Sequence, residues 1–270
     1  KKIKPWQKRK KKIDKIQPDD FKQEVTTVWS FPDRGDWATH NPQYRGNWSP
    51  RVVRNIILKY SKKGDVVLDP MVGGGTTLVE CLLTGRNSIG VDVNEDALRI
   101  TNNNLRLPKD EKKKLPGTKH SIYCGDARNL DRIKDESVDL IATHPPYANI
   151  IKYGKTEKDD LSLIPSYDIF IKELGVAIEE MKRVLKPGKY CAVLIGDTHN
   201  KCHYVPIATR VMLEFLRAGF ILKEDVIKHE WNCWSDPVWR KNVKNKFLLT
   251  MHEHLFIFRK PKDENDMNRH

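Results

Sequence analysis

Hydrophobic positions change rhythm repeatedly along this chain. Val52, Val53, Ile56, Ile57 and Tyr60 recur at helical spacing behind Ser49-Pro50, which supplies N-cap and N1 chemistry. The short apolar run Asp65–Asp69 then predicts a strand, and a helix follows through Thr77, Leu78, Cys81 and Leu82. Further strands are predicted at Ser88–Asp92, Ser121–Cys124, Val138–Ala142, Tyr190–Ile195, Ile221–His229 and Glu253–Phe258. Between them lie helices at Ala97–Leu105, Tyr167–Leu185 (stopped by Lys186-Pro187-Gly188) and Val205–Ala218 (closed by Gly219). Seven strands alternating with helices predict a doubly wound α/β domain, with its ligand site at the C-terminal strand edge.

Around this core, residues 1–20 read as a flexible arm and 263–270 as a tail. A single domain is expected over 21–262. Residues 21–50 carry Trp29, Trp37 and Trp48 among Gly, Pro and Asn with little periodicity, which predicts an ordered loop packed over something. Residues 106–119 read as a charged, Pro-bounded loop. The segments 21–48, 148–166 and 231–246 are candidate target-contacting loops.

Charge narrows the partners. The 270 residues hold 49 Lys+Arg against 36 Asp+Glu, a net +13. Such a surface suits a polyanion, because each neutralised phosphate releases counterions. Eight of the first twelve residues are Lys or Arg, the composition of a solvated arm that touches phosphate backbone without reading sequence. A hydrophobic fraction of 39% rules out wholesale disorder. No apolar run approaches 18 residues, so no membrane span is expected. The five cysteines are odd in number with no CxxC, which fits reduced intracellular thiols. With no apolar region behind the basic start to read as a secretion signal, a soluble cytoplasmic protein is expected.

Four strand ends carry unusual residues: Asp69 before a glycine run, Asp92, Asp126, and the tetrad His144-Pro145-Pro146-Tyr147. Parallel strands bring these ends to one rim. Gly73 to Gly75 let the backbone approach a ligand, and Asp92 is placed to take ribose hydroxyls. Gly-Gly-Gly followed by Thr76-Thr77 is not GxGxxG, and GxxxxGK[ST] is absent. Asp69 would repel a pyrophosphate yet tolerate a sulfonium with a free amino group. S-adenosylmethionine therefore fits better than NAD, FAD or ATP. Asp126 has a plainer reading as a turn cap, and Asp69 as a brace for the loop backbone. Asp197, His199, Cys202 and His203, with His229 and Cys233 further on, match no zinc spacing, and no metal is expected.

Leu68-Asp69-Pro70-Met71-Val72-Gly73-Gly74-Gly75-Thr76-Thr77 resembles the DPF-x-GSGTT cofactor loop of the amino-directed DNA methyltransferases, the N4-cytosine and N6-adenine enzymes. Thr143-His144-Pro145-Pro146-Tyr147 resembles their (D/N/S)PP(Y/F/W) motif. Arg183–Gly188 and His252–Lys260 are similar to their helix exit before the fifth strand and their ending strand. The resemblance spans about Tyr44 to Lys260, with cofactor loop before tetrad as in the gamma-like order. It implies a class I methyltransferase sheet, mostly parallel with an antiparallel C-terminal strand, and S-adenosylmethionine as cofactor.

The resemblance also assigns roles. Asp69 would hold the methionine amino group, Asp92 the ribose and Asp126 the adenine amine, while Asn47, Trp48 and Ser49 lie near the methionine carboxylate. Pro70, Gly73, Gly75, Thr76, Thr77, Ala127 and Thr143 complete the cofactor set. His144, Pro145, Pro146 and Tyr147 would be catalytic. Hydrogen bonds from an exocyclic base amine to the Pro145 carbonyl and position 144 aim its lone pair, and Tyr147 stacks on the flipped base.

Three positions depart from the pattern. Met71 replaces an aromatic and Gly74 a serine, which lowers the expected cofactor affinity. His144 replaces Asp, Asn or Ser; protonated, it cannot accept a hydrogen bond, so activity should depend on pH near 6–7. Thr143 and the continuation after Tyr147 look most like the TSPPY group, so the expected activity is site-specific N4-cytosine methylation of double-stranded DNA. N6-adenine methylation, RNA base methylation and an inactive nucleic-acid-binding subunit are the alternatives. Arg34, Arg45 and Arg51, with Trp231, Trp234, Arg240 and Lys241, interleave basic and aromatic character as nucleic-acid contacts do. A cognate restriction endonuclease is the accompanying partner that the family implies, with the protein itself a monomer or weak homodimer.

Overall fold

The computed structural model describes residues 13–40, 47–147, 160–231 and 248–267. Its sheet grows outward from a central pair. Strand β2 (Val66–Asp69) is followed by α2 (Thr76–Thr84), β3 (Asn87–Asp92), α3 (Glu95–Asn104), a short α4 (Lys109–Lys113) and β4 (His120–Cys124). β5 (Val138–Thr143) then returns to the other side of β2, and α5 (Tyr167–Val184) leads to β6 (Leu185–Gly196). All four of these neighbour pairs are parallel. β9 (Ile221–His229) and β10 (His252–Arg259) close the far side, with β10 antiparallel to both β6 and β9. The strand order reverses between β2 and β5, so their C-terminal ends open a crevice there.

Two helical layers cover the sheet because each helix carries one apolar stripe. α5 buries Phe170, Leu174, Ala177, Ile178 and Met181 on one face, alongside α6 (Ile207–Arg217). α1 (Pro50–Tyr60) buries Val52, Val53, Ile56 and Ile57 on the other. Every residue of β5 is buried, as expected of a strand covered on both faces.

The sheet has eight strands where seven were expected, because β1 (Val28–Ser30) pairs in parallel with the outer edge of β9. Three residues, of which only Trp29 is buried, are too few for a period-two signal. A hairpin of β7 (Thr198–Asn200) and β8 (His203–Val205) precedes α6, with Lys201 and Cys202 at positive φ in its turn. Residues 106–119, expected as loop, contain α4.

The expected arm of residues 1–20 is packed from Ile13 onward. Ile13 and Ile16 join the cluster around Trp37, the Lys15 carbonyl accepts from Ala38, and Gln17 donates to the Leu83 carbonyl. A buried charge anchors this layer. Glu80, wholly inaccessible in α2, accepts from Trp37 Nε1 and His40 Nε2 (2.7 Å each) and Arg54 Nη1 (3.1 Å), and Gln17 bonds the same guanidinium. Lysines had marked 1–20 as solvated; the Leu83 carbonyl that takes the Gln17 amide lies 66 residues away.

Candidate active site

Asp69 ends β2 with its side chain turned inward and 2% exposed. Its carboxylate accepts from the hydroxyls of Thr77 (2.5 Å) and Thr143 (3.0 Å) and from the Met71 amide (3.2 Å). Burial raises its pKa to about 7; the three hydrogen bonds only partly oppose this, and Asp92 adds a smaller push upward. Thr77 and Thr143, both in the expected cofactor set, thus hold the carboxylate that the loop is built around, and Thr76 opens α2 beside them.

The glycine run has specific geometric reasons. Gly73 and Gly75 sit at φ 51° and 81°, and Gly75 is the N-cap of α2. A Cβ on Gly74 would lie 2.6 Å from the Asn47 side chain. Gly74 therefore makes room for the loop ahead of α1, whereas ligand approach was expected to be the reason for it. Asp92 Oδ2 accepts from the Gly73 amide (2.8 Å) and Oδ1 from Asn94 (2.9 Å), tying the end of β3 to the same loop.

These elements border an open cleft of about 740 Å³, lined by Asn47, Trp48, Asp69, Pro70 and Gly73. Asp92, Asp126, Ala127, His144, Pro146, Asp160 and Leu161 complete its lining. Among the described residues four carboxylates line it and no Lys or Arg does. A di- or triphosphate would be repelled there; a cationic sulfonium bearing an amino group and an adenosyl moiety fits, with Val93, Ala127, Pro146 and Leu161 as apolar contact.

A second cavity of about 1200 Å³ lies behind the tetrad, lined by Phe31, Pro32, Ser49, Pro145, Tyr147 and Trp231. Asn47, Trp48 and His144 border both spaces. The two prolines face opposite ways, Pro146 to the first cleft and Pro145 to the second, so the tetrad is the partition between them. The Trp48 and Tyr147 rings flank His144, with centroids 5.9 and 5.4 Å away.

The partition stands on charged groups that the sequence had not singled out. Tyr147 donates to Glu253 Oε1 (2.5 Å), and Lys228 Nζ donates to Glu253 Oε2 (2.7 Å). His144 Nε2 lies 2.6 Å from the Tyr147 hydroxyl and 3.7 Å from Glu253 Oε1. Burial pushes the Glu253 pKa up, but Lys228, His144 and the hydrogen bonds outweigh it, and the net shift is downward. Gly196, paired with Glu253 across the sheet, leaves space for the tyrosine: a Cβ there would lie 2.9 Å from the Tyr147 ring.

Several expected site residues have other partners. Ser49 caps α1 (3.2 Å from the Arg51 amide), donates to the Arg34 carbonyl and faces the second cavity, away from the expected cofactor position. Asp126 is chelated by Arg128 through Nε and Nη2 (2.6–3.1 Å), so its carboxylate is neutralised in place, close to its plainer reading as a turn residue. Arg34, expected on phosphate, donates to the carbonyls of Asn47 (2.9 Å) and Trp48 (2.7 Å), and burial lowers its pKa. Arg51, likewise expected on phosphate, is paired with Asp33 (2.9 Å) and stacked over Trp37. Trp231 is 47% exposed at the mouth of the second cavity and donates to Ser30. Arg45, Trp234, Arg240 and Lys241 lie outside the described residues, as do 41–46, 148–159 and 232–246 of the expected target-contacting loops. Among the described residues no three His, Cys, Asp or Glu side chains group to hold a metal ion, and no helix is long and apolar enough to cross a membrane.

Known proteins share both fold and pattern. M.MjaI, a type II methyltransferase of Methanocaldococcus jannaschii, is 28% identical over 178 residues, covering 54% of this chain and 57% of that protein. A tRNA (guanine(10)-N2)-dimethyltransferase of Methanothermobacter thermautotrophicus is 36% identical over 105 residues, 38% of this chain and 29% of its own length. The chain thus spans little more than half the length of the one relative and under a third of the other. A SAM-dependent methyltransferase from Methanosarcina mazei superposes with a TM-score of 0.54 at 17% identity, covering 77% of this chain and 98% of that one, a likeness of fold alone. A second family model, an RMKL-like methyltransferase domain, matches residues 57–199. The DNA methylase model matches 1–103 and 138–270, and by that match the chain belongs to the amino-directed N6/N4 DNA methylase family, whose cofactor is S-adenosylmethionine.

Proposed function

We propose that this chain methylates an exocyclic amine of a nucleobase, with N4 of a flipped cytosine in double-stranded DNA as its target. The observation that carries this reading is the partition: His144-Pro145-Pro146-Tyr147 divides an acidic cleft from an aromatic cavity. S-adenosylmethionine supplies the electrophilic methyl group. Asp69 and Asp92, already fixed by the glycine loop, hold its amino group and ribose.

An exocyclic amine is a poor nucleophile because its lone pair is delocalised into the ring. The Pro145 carbonyl and neutral His144 accept its two N–H bonds and aim the lone pair through the partition, a gain of positioning. Trp48, Tyr147 and Trp231 offer faces on which an unstacked base rests. The cavity lining holds Arg34 and Lys228 together with Glu230 and Glu253, so its charges are mixed. A cognate nuclease is the partner this reading implies.

A second reading is methylation of a guanine amine in RNA. The matches to tRNA guanine-N2 dimethyltransferases favour it, and the same partition would serve it. The experiment incubates the protein with methyl-labelled S-adenosylmethionine and either duplex DNA or transfer RNA, then identifies labelled nucleosides by mass. N4-methylcytosine in DNA is the expected product. N6-methyladenine would move the target base, and N2-methylguanosine in RNA would replace the substrate. A protein that binds DNA without labelling either polymer would be the inactive subunit.

A further inference from the structure

A histidine in the partition can accept the substrate amine only while neutral, so whatever sets its charge sets the working range of the site. His144 faces a small group of ionisable side chains. On its own loop is Tyr147; on β10, Glu253; on β9, Lys228. Across the second cavity are Arg34, His229 and Glu230, and across the first cleft Asp69, Asp92, Asp126 and Asp160. The Glu253 carboxylate lies 3.7 Å from His144 Nε2.

The hydrogen-bond directions link these groups into one line. Lys228 donates to Glu253 Oε2, and Tyr147 gives its single hydroxyl proton to Glu253 Oε1. The tyrosine oxygen is then left to accept, which makes His144 Nε2 the donor at 2.6 Å and fixes the tautomer of the neutral ring. Charge runs along the same line. A lone Glu253 would pull a proton onto His144, as a carboxylate at this range stabilises an imidazolium. Lys228, closer to Glu253 than His144 is, already compensates that carboxylate. The side chains of Glu253 and Lys228 are 8% and 17% exposed, so water screens the pair little.

We propose that Lys228 and Glu253 are positioning residues that set the protonation state of His144, Glu253 drawing a proton to it and Lys228 holding that pull in check. Neither residue touches the substrate amine in this scheme. The proposal rests on the tetrad being the methyl-transfer site, but it makes a claim about the resting protein that can be read without turnover.

The two partners must therefore act in opposite directions. Glu253→Gln keeps a hydrogen-bonding side chain of the same shape but leaves Lys228 as the nearest charge. The His144 midpoint then falls by about one pH unit. Lys228→Gln keeps a donor to Glu253 but removes the cation, and the midpoint rises by a similar amount. Lys228→Arg keeps the charge and leaves the midpoint in place. The measurement is the pH titration of histidine ring resonances by NMR in the full chain, with His144 identified as the signal missing from His144→Asn. Nine histidines keep the spectrum tractable.

Midpoints that move in opposite directions support the proposal; midpoints that move together, or stay fixed in both variants, overturn it. Should Lys228→Gln fail to fold, Glu253→Gln decides alone, since its midpoint must fall. The acid limb of kcat/KM should move with the resonance. Opposed NMR shifts without methylation of any nucleobase would leave this proposal standing and refute the functional reading. Methylation with an unmoved resonance would do the reverse.

Discussion

Replacing Asp69 by asparagine tests the electrostatics of the cofactor loop with almost no change of shape. The carboxyl lies 2% exposed among Thr77, Thr143 and the Met71 amide, and its pKa is raised from 3.8 to about 7 by burial. The sign follows from the direction of that shift. A carboxyl whose folded pKa lies above its unfolded one binds its proton more tightly in the native state. Its effect on stability is therefore most favourable at low pH and is lost as pH rises from about 4 to about 7. One pKa unit is roughly 1.4 kcal/mol, so the whole loss is about 4 kcal/mol, and the part falling between pH 5 and pH 8 is about 2–3 kcal/mol. The amide of the Asp69→Asn variant cannot ionise, so that protein carries none of it. Urea denaturation followed by circular dichroism at pH 5, 6, 7 and 8 would compare the two proteins, other titrating groups cancelling in the difference. The wild-type curve should fall relative to Asp69→Asn by about that amount, most steeply below pH 7. Parallel curves would refute the reasoning. Cationic S-adenosylmethionine should reverse the preference, so its binding near pH 6 should release a proton in wild type and none in Asp69→Asn, as read by calorimetry in buffers of differing ionisation enthalpy.

Arg34→Ala should cost about 2–4 kcal/mol of stability, because two carbonyls of the Asn47–Trp48 turn lose their donor. The salt dependence of nucleic-acid binding should keep its slope, whereas loss of a phosphate contact would lower it by about one. Glu80→Ala strands Arg54, His40 and the Trp37 indole inside the protein and should cost about 3–5 kcal/mol in urea unfolding. Limited proteolysis should then cut within 13–40 first. Gly196→Ala pushes on the Tyr147 ring at the cavity wall and should slow methylation by about tenfold or more while the melting temperature changes little.

The strand ends were legible in the sequence because two signals coincide there: a short apolar run stops, and a residue out of keeping with a core follows. Asp69, Asp92 and His144 announce themselves in this way, and the structure gathers them at one cleft. The supporting charges carry no such mark. Glu253 reads as the polar first residue of a strand and Lys228 as one of 49 basic side chains, and only the pairing of β9 with β10 makes them neighbours. Glu80 sits in an apolar helix where its burial depends on Arg54 and His40 arriving from elsewhere. Arg34 and Arg51 show the converse error. Basic residues beside aromatics suggested phosphate, but a guanidinium satisfies backbone carbonyls or an aspartate equally well, and local sequence does not distinguish these uses. β1 escaped notice because a parallel edge partner almost 200 residues distant leaves no local pattern.

That distant partner has a consequence for the order in which the molecule is made. Among the described residues the acidic cleft takes its lining from 47 to 161, whereas the second cavity needs Phe31 and Glu253. Ribosomal synthesis delivers Glu253 roughly 90 residues after Leu161, a delay of about 5 to 20 seconds. Through that interval the emerging chain has every described residue that lines the acidic cleft, but the wall behind Tyr147 is still unmade. The second cavity has its full wall only once β10 lies between β6 and β9, with β1 on the outer edge beyond β9. An order, the residues of the acidic cleft before those of the second cavity, is thus written into the connectivity of the sheet.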